Sequence, residues 1–157
     1  MSKSHRYQVK IEWTGNLGEG TRGYNSYARS HRISAPGKEP ILASSDPAFR
    51  GDPMKYNPEE MLVASISTCH MLWFLHLASV NDIIIVDYQD HPEGLMQETS
   101  NGGGFFEQVL LKPSIVVNHP VENDKIEELH QQANKLCFIA NSVKFPVLHQ
   151  AEIIVKG

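Results

Sequence analysis

The stretch NPEEMLVASISTCHMLWFLHLAS, residues 57–79, predicts the principal helix of the chain. Asn57 is a favourable N-cap, Pro58 suits the first helical position, and Glu60 completes a capping box. From residue 61 to residue 78 almost every side chain is apolar or small. Because a helix that is apolar all round is usually buried on all sides, we expect it to be the central helix of the fold.

The residues before this helix predict three strands. They lie at 6–13, 24–34 and 41–44, and a polar loop of residues 45–56 leads into the helix. Every second residue of the first strand is apolar, which is typical of a half-buried strand.

The residues after the helix predict two longer strands, a second helix and a last strand. A strand at 83–99, bulged near Pro92, reaches the turn NGGG at 101–104 and returns as a strand at 105–118. A helix begins after Pro120, and a strand at 148–156 follows it. The order βββ-α-ββ-α-β indicates an α+β fold in which antiparallel sheets pack on the central helix, within one domain spanning 1–157.

Composition argues against several classes of function. The 157 residues are 41% hydrophobic and 20% charged, with a net charge of −4 and no run of Lys or Arg, so neither a nucleic acid nor an anionic membrane is an expected partner. The first residues lack the apolar segment of a secretory signal, and the apolar runs are shorter than a bilayer span. We therefore expect a cytoplasmic protein.

The chain has two cysteines, Cys69 in the central helix and Cys137 at the second helix. In a cytoplasmic chain they are either inert core thiols or a redox pair. A reactive thiol needs a cation that lowers its pKa, and the cation needs a carboxylate that fixes it. Arg50 and Glu59, just upstream of Cys69, are residues of these two kinds.

The segment NPEEMLVASISTCH, with Cys69 ten positions after Glu59, resembles the first signature of the OsmC/Ohr family of osmotically induced and organic-hydroperoxide-resistance proteins. The segment NKLCFIANSV places Cys137 before the last strand, where that family has its second cysteine. The pattern of Trp, Gly and Thr at 13–21 also fits the family. The resemblance implies an OsmC-like fold and an intertwined homodimer.

The same resemblance implies a cysteine-based peroxidase that reduces organic hydroperoxides. In that reading Cys69 is the peroxidatic thiolate and Cys137 the resolving thiol, while Glu59 and Arg50 activate Cys69. An external dithiol, typically a lipoylated protein, would reduce the resulting disulfide, and neither a metal nor another cofactor would be required.

The chain departs from the family pattern at three places. One branch of the family has its arginine in the loop after the first strand, where this chain has none and Arg22 follows just after. The other branch has it about ten residues before the Glu, and Arg50, nine residues before Glu59, fits that branch. Arg50 is therefore the first candidate, Arg22 the second and Arg29 the third. Cys137 is followed by FIAN where the family often has proline, and His70 stands where an apolar aromatic is common. We interpret His70 mainly as a hydrogen-bonded core histidine.

Helix geometry adds a prediction about assembly. Ten helical residues rise about 15 Å, and side chains tilt towards the N-terminus, so Glu59 leans away from Cys69 within one helix. Two antiparallel copies of the helix would bring Glu59 of one chain to Cys69 of the other. The sequence therefore predicts a homodimer with two composite sites.

Two other functions remain open. One is a non-catalytic dimer that binds a small apolar ligand at the subunit interface, and the other is a thiol hydrolase or transferase that uses Cys69 with His70. Adjacent helical positions point apart, which argues against the second. The substrate pocket of the peroxidase is expected to be apolar, with candidates Phe49, Met54, Met71, Trp73, Phe74 and Phe145.

Overall fold

The computed structural model describes residues 3–156. The chain divides into two compact units, and the boundary between them along the chain falls within one helix. Unit 1 extends to Met61 and unit 2 begins at Leu62. The helix itself, α1, runs from Pro58 to Val80.

Unit 1 contains a three-stranded antiparallel sheet. Its strands are β1 (Lys10–Trp13), β2 (His31–Ser34) and β3 (Ile41–Ala43), hydrogen-bonded in that order. A short 3-10 helix at Pro47–Phe49 follows them, and then the first turn of α1. The three predicted strands are all present, but each is shorter than its sequence pattern indicated.

The Trp and Gly of the 13–21 segment have a structural role in unit 1. The Trp13 indole donates to the Ala28 carbonyl at 2.9 Å, and the Ala28 amide donates to the Gly15 carbonyl at 2.9 Å. A Cβ on Gly15 would lie 1.9 Å from the Ala28 oxygen, so only glycine allows this close backbone approach.

The prediction of a half-buried first strand is wrong for a single chain. Tyr7 is 87% exposed and Val9 is 65% exposed. Alternation identifies residues that share a face of the sheet, but it does not show whether the same chain covers that face.

The predicted start of α1 is confirmed. The Asn57 side-chain oxygen accepts from the Glu60 amide at 2.8 Å, and the Glu60 carboxylate accepts from the Asn57 amide at 3.1 Å. These reciprocal bonds form a capping box, as predicted. The expected burial on all sides is wrong, however, because Leu72 is 63% exposed.

Unit 2 contains two three-stranded sheets and the helix α2, Asn123–Leu136. One sheet has the order β4-β7-β9 and the other β5-β6-β8. The strands are β4 (Ile85–Asp90), β5 (Glu93–Glu98), β6 (Gly104–Leu111), β7 (Pro113–Val117), β8 (Val147–His149) and β9 (Glu152–Val155).

The α+β class is confirmed, and the predicted antiparallel pairing holds for all but two of the strand pairs. The β4–β7 and β5–β6 pairs are antiparallel, whereas the β6–β8 and β7–β9 pairs are parallel. Because α2 lies between β7 and β9 in the chain, it acts as a crossover, and a crossover returns the chain in the same direction.

Each of the three predicted strands in unit 2 is divided between the two sheets. The 83–99 segment breaks after Asp90, and the 105–118 segment breaks at Lys112, whose amide donates to the Asp90 carboxylate at 2.7 Å. Proline follows each break closely, at Pro92 and Pro113, and removes a ladder donor there. The 148–156 segment likewise divides into β8 and β9.

Two hydrophobic cores hold unit 2 together, and α1 contributes to both. Phe74 and Leu77 pack with Ile115 of β7 and Leu129 of α2, whereas Ile66 packs with residues of β6 and β8. By length and mean hydropathy α1 alone, among the described helices, would also suffice to cross a membrane, a test that core helices of soluble proteins pass as well.

Candidate active site

The two cysteines, 68 positions apart in the chain, meet in unit 2. Cys69 is half-buried on α1, and Cys137 is fully buried immediately after α2. Both thiols are free, and the Cys69 side chain lies close enough to Cys137 to help raise the pKa of the Cys137 thiol. The structure therefore brings together the two residues that the sequence predicted as a redox pair.

The end of α2 fixes the position of the Cys137 sulfur. The Cys137 amide donates to the Ala133 carbonyl at 2.9 Å, which completes the helix. Its Sγ atom accepts from the Ala140 amide at 3.3 Å. Burial, and next to it the neighbouring Cys69 side chain, raise the pKa of the Cys137 thiol to about 11, so this thiol is neutral at pH 7.

Aromatic side chains lie beside the cysteine pair. Trp73, one turn after Cys69 on α1, contacts Phe138, the residue after Cys137, edge to face with ring centroids 6.0 Å apart. Trp73 also borders an apolar surface cavity of about 250 Å³ that Leu72 and His76 complete. Trp73 therefore both contacts the residue next to Cys137 and borders a cavity.

The other predicted pocket residues have different surroundings. Phe74 is fully buried in a core, and Phe49 and Met54 are exposed in unit 1. Met71 is half-buried on α1. Phe145 packs against Phe106 with ring centroids 5.5 Å apart.

His70 is buried and hydrogen-bonded, as interpreted from the sequence. Its Nε2 atom lies 2.9 Å from Nδ1 of His130 on α2. Burial lowers the pKa of His70 to about 4 and that of His130 to about 3, with further lowering by the neighbouring histidines. Both rings are therefore neutral at pH 7, and His70 is engaged with His130.

Sequence reasoning missed His130 and a third ring, His149 of β8. Ring centroids of His130 and His149 are 5.1 Å apart, and the His149 Nε2 atom lies 3.0 Å from the Glu127 carboxylate. A signal was present in α2, because position 130 falls between Leu129 and Ala133 on the apolar face of that helix. A histidine on such a face is buried and needs a partner.

Arg50 and Glu59 both lie in unit 1. Arg50 ends the 3-10 helix in a left-handed conformation, with φ at 65°, and its guanidinium carbon lies 5.9 Å from the Tyr24 ring centre. Glu59 is half-buried in the first turn of α1. Within the described part of unit 1, no ion pair includes either residue.

The alternative arginines differ in how firmly they are held. Arg22 forms an exposed ion pair with Glu19 at 3.4 Å. Arg29 lies between the rings of Tyr24 and Tyr27, with its guanidinium carbon 4.3 and 4.1 Å from their centres, and donates to the Tyr27 carbonyl at 2.6 Å. Its Nη2 atom is buried without a partner in the protein. Of the three candidates, Arg29 thus has the shortest cation–π distances and a hydrogen bond to the backbone.

The site offers thiol chemistry rather than a metal-ligand set. Over residues 3–156, no group of three or more His, Cys, Asp or Glu side chains is arranged to hold a metal ion. Two adjacent free thiols on separate helices can form a disulfide and be reduced again.

Comparison with known proteins identifies relatives of this chain. The profile of the OsmC-like protein family matches residues 51–152. A protein of Bacillus subtilis, YmaD, is 26% identical over 156 residues, which are 97% of this chain and 95% of YmaD. The structure of an OsmC-like protein of unknown function from Vibrio cholerae is 30% identical, covers 94% of this chain and 99% of that chain, and superposes with a TM-score of 0.84.

A more distant structure shares the fold alone. An organic hydroperoxide resistance protein from Elizabethkingia anophelis is 16% identical, covers 98% of this chain and 100% of that chain, and has a TM-score of 0.68. The family match, the Vibrio cholerae structure and the paired cysteines lead to one conclusion. This chain is a member of the OsmC-like protein family.

Proposed function

We propose that this protein is a cysteine-based peroxidase that reduces organic hydroperoxides. The observation that carries the proposal is the proximity of two free thiols, Cys69 on α1 and Cys137 at the end of α2. The fold shared with a protein named for organic hydroperoxide resistance supports the choice of substrate.

The proposed cycle has three steps. The Cys69 thiolate attacks one oxygen of the hydroperoxide, the O–O bond breaks, and the alkoxide takes up a proton and leaves as an alcohol, while Cys69 becomes a sulfenic acid. The Cys137 sulfur then attacks the Cys69 sulfur, which forms the disulfide and releases water. An external dithiol reduces the disulfide by exchange and is itself oxidised to a disulfide.

The order of the two roles follows from exposure. Cys69 is half-buried and lies one turn from the cavity beside Trp73, whereas Cys137 is fully buried. A peroxide therefore has access to Cys69 first. The buried Cys137 thiol is protonated at pH 7 and therefore does not compete with Cys69 for the peroxide.

A peroxide titration tests the proposal. Reduced protein is mixed with cumene hydroperoxide or, separately, with hydrogen peroxide in a stopped-flow instrument, and the remaining thiols are counted. We expect fast loss of two thiols per chain with preference for the organic peroxide, because binding in an apolar cavity derives from buried hydrocarbon. The Cys69→Ser variant should not react, and loss of thiols at an unchanged rate in that variant would contradict the proposal.

We assign activation of the Cys69 thiolate to Arg50 and Glu59, as the family resemblance implies. Arg50→Ala and Glu59→Gln should each slow the reaction with cumene hydroperoxide by at least about tenfold, whereas Arg22→Ala should not. Arg29→Ala is the decisive comparison, because Arg29 is better held than Arg50 in unit 1. Slowing in Arg29→Ala alone would transfer the role of the cation to Arg29.

We also propose that the active species is a homodimer. Large apolar side chains of unit 1 are exposed in a single chain, among them Ile11 and Leu42, and exposed apolar surface of this kind is typical of a protein interface. Size-exclusion chromatography with light scattering should give twice the mass of one chain. A monomer with full peroxidase activity would contradict this assignment.

Non-catalytic binding of a small apolar ligand is the second candidate function. A surface cleft of about 590 Å³ in unit 2, lined by Phe105, Phe106, Phe145 and Pro146, favours it. In that case no peroxide would be consumed, and Cys69→Ser would bind an apolar fluorescent probe as tightly as the wild type.

A further inference from the structure

Helices α1 and α2 meet through two polar contacts that share neighbouring residues of α1. Cys69 contacts Cys137, and the next residue, His70, contacts His130 at 2.9 Å. The corresponding partners are His130 of α2 and Cys137, the residue that follows α2. Seven residues separate them, which is about 10 Å along a helix and within about 20° of the same face. The two contacts therefore fix both the position and the direction of α2 relative to this part of α1.

Aromatic packing accompanies each polar contact. Beside the cysteines, Trp73 contacts Phe138. Beside the histidines, the Phe74 ring stacks on His130 with centroids 4.2 Å apart. The histidine contact is thus a specific polar bond inside an apolar layer, where loss of one partner leaves a buried polar atom unpaired.

The hydrogen bond between the rings contains one proton, which belongs to one of the two facing nitrogens. A neutral imidazole has one N–H donor and one acceptor nitrogen, so either His70 Nε2 or His130 Nδ1 carries the shared proton. The outer nitrogens, Nδ1 of His70 and Nε2 of His130, are buried without a partner in the protein. Within the described residues, each of the two side chains therefore forms one hydrogen bond, the one that joins the rings.

We propose that the hydrogen bond between His70 and His130 is a clamp that holds α2 where Cys137 meets Cys69, so that both histidines are positioning residues for the disulfide. The proposal rests on the proposed function only in that it concerns the same cysteine pair. Without the clamp α2 can rotate about its C-terminal end. The two thiols would then spend less time in contact, and the disulfide would form less readily.

Disulfide exchange with glutathione tests the clamp without any peroxide. In this reaction the two protein thiols and oxidised glutathione form the protein disulfide and two molecules of reduced glutathione, so electrons and protons balance. The equilibrium constant reports how close the folded protein holds its two sulfurs. It is measured at pH 7 by acid quenching and mass spectrometry.

Asn and Gln substitutions at each histidine place the same amide group at different distances from the backbone. A Gln amide lies near the position of the imidazole Nε2 atom, and an Asn amide lies near that of Nδ1. His70→Gln and His130→Asn therefore keep a polar atom at the contact, whereas His70→Asn and His130→Gln remove it. We expect the first two variants to stay within about threefold of the wild-type constant and the second two to fall by about tenfold.

A control separates positioning from general stability. Leu129→Ala removes a fully buried side chain next to His130 in the chain and destabilises the same core, but it leaves the clamp intact. We expect its glutathione constant to match that of the wild type. An equal fall in Leu129→Ala and His70→Asn, or equal constants in the Asn and Gln variants at each position, would overturn the proposal.

The outcomes for the clamp and for the peroxidase are distinguishable. If oxidised glutathione converts the wild type to its Cys69–Cys137 disulfide, and the equilibrium constant falls only in His70→Asn and His130→Gln, the clamp is supported even if peroxide is not consumed. A peroxidase whose glutathione constant is the same in all four variants refutes the clamp and leaves the proposed function intact. If oxidised glutathione does not produce the Cys69–Cys137 disulfide in the wild-type protein, the clamp is overturned outright.

Discussion

Cys137 is the residue whose surroundings most constrain the proposed reaction. It is fully buried, its sulfur accepts the Ala140 amide, and burial raises the pKa of its thiol to about 11. Attack on a sulfenic acid requires the thiolate, which is therefore a small fraction of Cys137 at pH 7. The rate of the resolving step therefore depends on pH.

We predict that the rate of disulfide formation increases with pH. After one equivalent of cumene hydroperoxide, the slower phase should accelerate by about tenfold per pH unit between pH 7 and pH 9, because each unit below the pKa reduces the thiolate tenfold. Tryptophan fluorescence in stopped flow can follow it, since Trp73 contacts Phe138 next to Cys137. Cys137→Ser should lack this phase, and a slow phase that does not change with pH would contradict the prediction.

At the scale of the element, β5 depends on a glycine for its packing. A Cβ on Gly94 would lie 2.7 Å from Cε1 of Phe106 and 2.7 Å from Cγ2 of Val63. The space that a side chain would need is occupied by β6 and α1. Gly94 therefore allows β5 to approach both elements closely.

We predict that Gly94→Ala lowers the free energy of unfolding by about 1–3 kcal/mol, since the Phe106 and Val63 side chains must move. Urea unfolding followed by circular dichroism measures the change. Gly103→Ala is the control, because its nearest contacts, at 3.3 and 3.4 Å, are to flexible polar atoms. Equal losses in the two variants would show that crowding against Phe106 and Val63 does not control the effect.

The elements that the sequence predicts well are those with local signals. The capping box of α1 joins residues three apart, and the Asn-Gly-Gly-Gly turn joins β5 directly to β6. The division of the 83–99 segment between two sheets has no such signal. It depends on the bond between Asp90 and Lys112, residues 22 positions apart, and on pairings with strands near the end of the chain.

The candidate site divides in the same way. Cys69 and Cys137 follow from the family resemblance, and the structure places their side chains in contact. The partner of His70 does not follow, because His130 lies 60 positions away and the sequence around it predicts only a buried helix face. The roles of Arg50 and Glu59 stay predictions, because the sequence identifies the charged residues but does not give their distances from the Cys69 sulfur.

At the scale of the whole molecule, the buried histidines connect stability to pH. His70 on α1 and His130 on α2 face each other and His149 of β8, whose Nε2 atom lies 3.0 Å from the Glu127 carboxylate. From β4, Tyr88 packs on Phe74, and Asp90 is bonded to Ser67 one turn before His70. The carboxylates of this region are thus engaged elsewhere, and the two buried rings remain neutral.

We predict that the protein loses stability as the pH falls below about 6.5. Below pH 6.5 the unfolded chain binds protons on both histidines, whereas in the folded chain His70 does so only near pH 4 and His130 near pH 3. The stability that depends on the two neutral rings is therefore fully present only above pH 6.5. Between pH 6 and pH 5 the free energy of unfolding should fall by up to about 2.7 kcal/mol. Urea unfolding at each pH measures this fall.

The doubly substituted variant His70→Gln with His130→Asn is the control for the acid effect. It keeps polar atoms at the contact but has no titrating rings, so its stability should change much less between pH 6 and pH 5. Carboxylates with lowered pKa, such as Glu127, lose their contribution only below their usual range and lie outside this window. Identical slopes for variant and wild type would exclude the histidines as the cause.

The parallel pairing of β8 with β6 and of β9 with β7 bears on how the protein is made. Each sheet of unit 2 receives its third strand late in the chain, so the β5-β6-β8 sheet is incomplete until His149 has emerged from the ribosome and the β4-β7-β9 sheet until Val155 has. Until then the edges of β6 and β7 are open to pairing with other chains. Unit 2 must therefore finish folding after almost all of its synthesis, and the nascent chain has the greatest need of chaperone protection in that interval.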